Sequence, residues 1–196
     1  MEFSEIIRVR RSVRSYSSEV PEPAEVDRII DIARRAPTAG YSQGIDFLVV
    51  DDPDQLAAFW AFTAGEDEGD HGGSDRPPVL VMVWSDPQRY LDRYSEADKI
   101  GFGLDHADAW PVRFWDVDGG MAAMQLQLAA VDAGLDTWFF GIPDDTAVRA
   151  HFGVPANRNM IGIIALGFRD PDEVPTGSGV KRRRRPLDEQ LHRNGW

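Results

Sequence analysis

The densest chemistry in this chain lies near its start. Arg10, Arg11, Ser12 and Arg14 fall at the end of a predicted helix and just beyond it. Arg10 and Arg14 are planar bidentate donors, and Ser12 adds a hydroxyl. Such a set suits a phosphate. The same residues could instead complement the negative end of the helix dipole. A second basic run, Lys181 to Arg185, stands at the other end of the chain. It can also be read as a solvated or nucleic-acid-binding tail. Pro186, Leu187 and Leu191 follow it and predict an ordered end that docks.

Other chemistry finds no anchor. His71, His106, His151 and His192 show no metal-ligand spacing, so no metal site is expected. The chain has no GxSxG elbow for a hydrolase triad and no GxxxxGK[ST] loop for nucleotide phosphates. GFG at 101–103 is followed by charged residues, not by a helix after a strand, so a Rossmann site is unsupported. The absence of cysteine excludes a disulfide scaffold, a thiolate zinc site and a cysteine nucleophile. The pairs Asp51/Asp52 and Asp144/Asp145 sit at element ends and read as caps. What remains is an anion site without a catalytic side-chain constellation.

Charge sharpens that reading. The net charge is −12, and residues 51–118 carry 16 acids against 5 bases, so −11 of it lies there. That field repels nucleic acid, and no nucleic-acid partner is expected. Two basic clusters at opposite ends of an acidic chain point to one local anion site. At 196 residues and 42% hydrophobic composition, the chain suits a single ordered domain over 1–196. No apolar run approaches the roughly 20 residues of a membrane span. The opening MEFSEIIRVRR lacks the apolar core of a signal peptide, so a cytoplasmic protein is expected.

The elements that must position these residues follow from periodicity. Residues 2–11 read as a helix. Pro23 opens a second helix, with Val26, Ile29, Ile30 and Ala33 as its apolar stripe, ending near Ala36 before Pro37. PTAGYSQG at 37–44 is a loop of small residues, and 45–51 a strand. Residues 53–63 predict a short helix, 65–75 a mobile charged loop and 78–85 a buried strand. Residues 87–118 give no clear assignment. Residues 119–133 predict a long helix that is apolar on most sides and buried, ended by Gly134. Strands at 136–142 and 159–168 flank a helix at 144–153, and 170–179 is a surface loop. The class is α/β or α+β with one sheet. Trp84, Trp110, Trp115, Tyr41, Phe139 and Phe140 could line an aromatic pocket, or sit in the core.

Four segments carry a family resemblance. RRSVRSY at 10–16, APTAGYSQG at 36–44, DGGMAAMQLQLAAVDAGLDTWFFGI at 118–142 and RRRRPLDEQLH at 182–192 resemble, in order, motifs of the flavin-dependent nitroreductase family. The resemblance implies a three-layer α+β fold with a central mixed or antiparallel sheet, and an intertwined homodimer with FMN at the subunit interface. NADH or NADPH would reduce the flavin, which would then reduce a nitroaromatic, quinone or similar small molecule by a ping-pong mechanism. By the same resemblance, Arg10 and Ser12 match the phosphate end, and Arg11 a neighbouring contact. Arg14 matches the basic residue near the pyrimidine edge of the ring. Pro37, Thr38 and Ala39, with Tyr41 and Gln43, match a loop from the partner subunit. Phe140 and Gly141 match the turn near flavin N5, and Arg182 and Arg184 close over the phosphate. Tyr41 departs from the family's usual Asn, and Gly44 from its usual Pro. Relatives with another reaction (dehydrogenases, dehalogenases, flavin-cleaving or deazaflavin-using enzymes) and a non-catalytic flavin binder remain alternatives. The flavin carries the chemistry in this family, which suits a chain without a catalytic His or Cys set.

Overall fold

The computed structural model describes residues 1–63 and 76–196. The expectation of a mobile charged loop at 65–75 lies outside the described residues. Four strands form one sheet: β1 (Ile45–Val50), β2 (Val79–Ser85), β3 (Asp136–Phe140) and β4 (Asn159–Gly167). Their order is β1-β2-β4-β3 and every pairing is antiparallel, which makes the class α+β. β2 is buried along its whole length because it lies inside the sheet with both faces covered.

Helices cover both faces. On one face, α2 (Pro23–Ala33) and α5 (Phe114–Asp132) bury Val26, Ile29, Leu126 and Ala130 against Val81, Val83 and Ile164. On the other, α3 (Pro53–Thr63) and α6 (Thr146–Phe152) bury Phe59 and Val148 against Leu80, Met82 and Ile163. Alternate strand residues feed the two cores, as the pleat requires. α1 (Phe3–Val9) packs on α5, and α4 (Pro87–Tyr94) follows β2. Among the described residues no helix is long and apolar enough to cross a membrane.

Three expectations need correction. The long helix begins at Phe114, not at 119. Gly119 and Gly120 look like a helix start by propensity, yet a Cβ on Gly119 would lie 2.5 Å from Ile161. Close packing on β4 explains that glycine, and the helix runs through it. Second, Met121 and Met124 are 37% and 42% exposed. The buried stripe is Ala122, Ala123, Leu126, Ala129 and Ala130, and α1 is too short to cover the rest. Third, the tail after Lys181 does not dock on its own chain, where Leu187 and Leu191 are exposed. Residues 87–118, unassigned from sequence, hold α4 and two short 3-10 turns around a cluster of Tyr90, Trp110 and Trp115.

Candidate functional site

The N-terminal arginine segment lies against β3, an edge strand. Ser12 bridges Thr137 in parallel, and Val13 N–H donates to the Thr137 carbonyl at 3.0 Å. Buried Val13 and Tyr16 anchor the segment in the core, and the Tyr16 hydroxyl donates to the Val13 carbonyl at 2.8 Å. Burial holds that hydroxyl well above its ordinary pKa, so it stays protonated.

Each arginine has a different setting. Arg11 donates to Glu173 at 2.6 Å. Arg14 donates to the Thr176 carbonyl at 3.1 Å, and its guanidinium lies 5.2 Å from the Trp138 ring centroid. Trp138 stacks on Phe140 at 4.4 Å, and Phe140 on Trp60 at 6.1 Å. Arg10 is half-buried, and its guanidinium has no hydrogen-bond or ionic partner among the described residues. Arg182 and Arg184 are exposed and equally unpaired. Of the other arginines among the described residues, those at 28, 34, 35, 93, 113, 149, 158 and 169 have carboxylate partners, whereas Arg76, Arg183 and Arg193 have none.

Arg14 also ties the two basic clusters together. Its guanidinium lies against Gly177, which has φ +87°, and Arg182 stands six residues beyond Thr176. That is at most about 20 Å of chain. Gly141, just past the far end of β3, lines a depression of about 420 Å³. Asp144, Arg149, Asn159 and Ile161 also line it. Arg149 is spent on Asp145 and the carbonyls of Pro155 and Arg158. Of the aromatic candidates, Trp84, Trp110 and Trp115 are core residues, while Tyr41 and Phe139 are exposed.

The 37–43 loop is on the opposite edge. It leads into β1, three strand spacings from β3, roughly 14 Å. Thus the structure gathers Arg11, Ser12, Arg14 and Phe140 at one edge and leaves Pro37, Thr38, Ala39, Tyr41 and Gln43 at the other. The loop is held hard. Ala39 N–H donates to Asp118 at 2.8 Å, Gln43 N–H to Thr38 Oγ1 at 3.0 Å, and Arg93 to the Gly40 carbonyl at 2.9 Å. Gly40, Tyr41 and Gln43 all have positive φ, and Tyr41 projects into solvent at 77% exposure. Left-handed backbone at two non-glycine residues persists only where the surroundings impose it.

Sequence reasoning missed the residues that do the holding. Asp118 is buried at 2% exposure and also accepts from Tyr90 at 2.8 Å. Burial, and then the bond to this carboxylate, keep the Tyr90 hydroxyl protonated well above its usual range. Glu173 stood in a stretch read only as a surface loop. Neither acid carries a local signal, since each partner is more than 25 residues away in sequence. The caps were legible: Asp52 accepts from Asp54 and Gln55 N–H, and Asp144 from Thr146 N–H. No group of acids and histidines able to hold a metal is present among the described residues.

Comparison with known proteins bears on the fold and the family. Residues 7–168 match the family model described as Nitroreductase family. A protein of Archaeoglobus fulgidus, provisionally named an NADH dehydrogenase/NAD(P)H nitroreductase, is 26% identical over 100% of this chain and 99% of its own. A provisionally named NAD(P)H nitroreductase of Bacillus subtilis is 26% identical over 95% of each chain. Among solved structures, a nitroreductase family protein of Streptococcus pneumoniae superposes with a TM-score of 0.74 at 20% identity, over 98% of this chain and 100% of that one. One from Exiguobacterium sibiricum, solved in complex with FMN, gives 0.77 at 20% identity, over 99% and 98%. With its four-stranded antiparallel sheet between two helical layers and a family match spanning most of its length, this chain belongs to the nitroreductase family.

Proposed function

We propose that the protein is an FMN-dependent oxidoreductase that takes hydride from NADH or NADPH and reduces a nitroaromatic, quinone or similar acceptor. The observation that carries this reading is the set of uncommitted arginines. In a chain of net charge −12, Arg10, Arg182 and Arg184 have no carboxylate partner. Charge-assisted bonds from such donors are what a phosphate monoester requires. The donor set therefore fits FMN.

In this reading Arg10, Ser12, Arg182 and Arg184 hold the phosphate. Arg11 contributes through its backbone, its guanidinium being committed to Glu173. Arg14 stands as the cation that favours the reduced, anionic ring. Phe140 and Gly141 border the ring at the end of β3, and the adjoining depression receives donor and acceptor in turn, a ping-pong order. Bound FMN supplies the hydride chemistry, and the chain supplies orientation and charge. No side-chain base is needed.

The loop from Pro37 to Gln43 completes the site of a second subunit. Its place on the opposite sheet edge and its rigid, outward display of Tyr41 support that assignment. The exposed strip of Phe3, Ile7, Met121 and Met124 is apolar surface that a homodimer would cover. The enzyme would work in the cytoplasm, with a small-molecule acceptor and no nucleic-acid or membrane partner.

The test is the visible spectrum of the purified protein, before and after added FMN and then NADH. A flavin band that bleaches with NADH is expected. No retained flavin and no shift on adding FMN would overturn the phosphate reading of both arginine clusters. Light scattering should give twice the 21.9 kDa chain mass, and a monomer would remove the two-chain site.

A further inference from the structure

Two segments far apart in sequence run side by side at the β3 edge. Ser17 N–H donates to the Phe168 carbonyl at 2.9 Å, and Asp170 N–H to the Ser15 carbonyl at 3.1 Å. Ser15 Oγ lies 3.4 Å from Asp170. Arg11 reaches Glu173 at 2.6 Å and Arg14 reaches the Thr176 carbonyl at 3.1 Å. The Glu173 side chain is 3% exposed, against 34% for Arg11. Arg11 Nε is buried with no acceptor, so the guanidinium is gripped through one nitrogen only.

A buried acid in the middle of a basic cluster calls for a reason. Unpaired, it would repel a phosphate. Paired with Arg11, it is neutralised and becomes a fastener between the chain that carries Arg10 and Ser12 and the chain that leads to Arg182 and Arg184. Burial strengthens the pair and makes its loss costly. The tail beyond Lys181 makes no packed contact of its own, so its starting point is set by this fastening.

We propose that Glu173 is a positioning residue for the anion site: its ion pair with Arg11 fixes residues 170–176 so that Arg182 and Arg184 start from a set point next to Arg10 and Ser12. This rests on the reading of the two basic clusters as the FMN phosphate site. Glu173 touches no ligand and acts through Arg11 and the backbone. Its removal frees the tail rather than deleting a donor.

FMN and riboflavin differ only in the phosphate, so the ratio of their dissociation constants reads the phosphate contribution alone. Glu173→Gln keeps the shape and removes the charge. The ratio should fall by about tenfold, mostly through weaker FMN binding, the scale of one charge-assisted contact. Equal weakening of both ligands would mean a structural role only and overturn the proposal, as would an unchanged ratio. Glu173→Asp, which keeps the charge on a shorter arm and disturbs folding less, should fall between the two. A second readout needs no flavin: amide exchange over residues 174–184 should accelerate by about tenfold in Glu173→Gln while residues 162–166 stay protected. Unchanged exchange in the tail would overturn the fastening. A wild-type protein that binds FMN no tighter than riboflavin would overturn the phosphate reading itself, a result distinct from those of the variants.

Discussion

Replacing Asp118 by alanine should expose how the 37–43 loop is held. One oxygen of this buried carboxylate accepts from the Ala39 backbone and from the Tyr90 hydroxyl, both at 2.8 Å. Tyr90 is fully buried and Ala39 half-buried. A buried donor stripped of its acceptor costs about 1–3 kcal/mol, so two donors cost about 2–6. Water can reach Ala39 in part, which favours the lower half of that range. A net loss of about 2–3 kcal/mol is expected, or roughly 5–10 °C in Tm for a chain of this size. Asp118→Asn keeps one acceptor oxygen and should lose about 1 kcal/mol. Tyr90→Phe removes one donor and should lose a similar amount. The assay is urea unfolding followed by tryptophan fluorescence at one protein concentration, since association would otherwise shift the midpoint. A loss below about 1 kcal/mol for Asp118→Ala, at unchanged m, would refute the argument that this carboxylate holds the loop.

Further predictions follow from particular contacts. Arg184→Ala should weaken FMN binding by about 1–3 kcal/mol, read by flavin fluorescence titration; full occupancy after dilution would rule out its phosphate role. Gly40→Ala should destabilise by about 2 kcal/mol, because φ is +62° and the new Cβ would meet Tyr94 at 2.8 Å; thermal unfolding checks it. The Arg93 guanidinium beside Asp98 lowers that carboxyl from the ordinary range to about 2. Stability from this pair is therefore complete above the ordinary carboxylate pKa and is lost as pH falls through about 2. Acid unfolding of wild type and Asp98→Asn should differ near neutral pH and converge at the acid end. A constant gap across the titration would contradict the pairing.

Much of the fold was readable in the sequence because its signals are local. The stripe Val26, Ile29, Ile30 and Ala33 marked α2, and the unbroken apolar run at 78–85 marked a strand covered on both faces. The end of α2 differed by a few residues. Arg35 and Ala36 N–H bond three residues back, a tightened last turn ahead of Pro37, and the regular helix stops at Ala33. α4 escaped notice because its buried surface is a tyrosine between charges, Tyr90 at zero exposure, rather than an aliphatic stripe.

The sequence by itself showed which side chains could bind an anion and that several familiar catalytic motifs are missing. Arg10, Ser12, Arg14, Arg182 and Arg184 are identifiable by type and clustering, and the excluded motifs are visible as absences. Which arginines are committed was decided only by tertiary structure. Arg11 and Arg10 are neighbours in sequence and alike in type, yet one is locked to a buried carboxylate 162 residues away and the other has no partner. The same holds for Asp118, whose role as the acceptor for a distant turn depends on α5 packing across a face of the sheet. Local propensity acts over a few residues. An ion pair or a buried acceptor depends on where the chain returns, and burial then sets its strength.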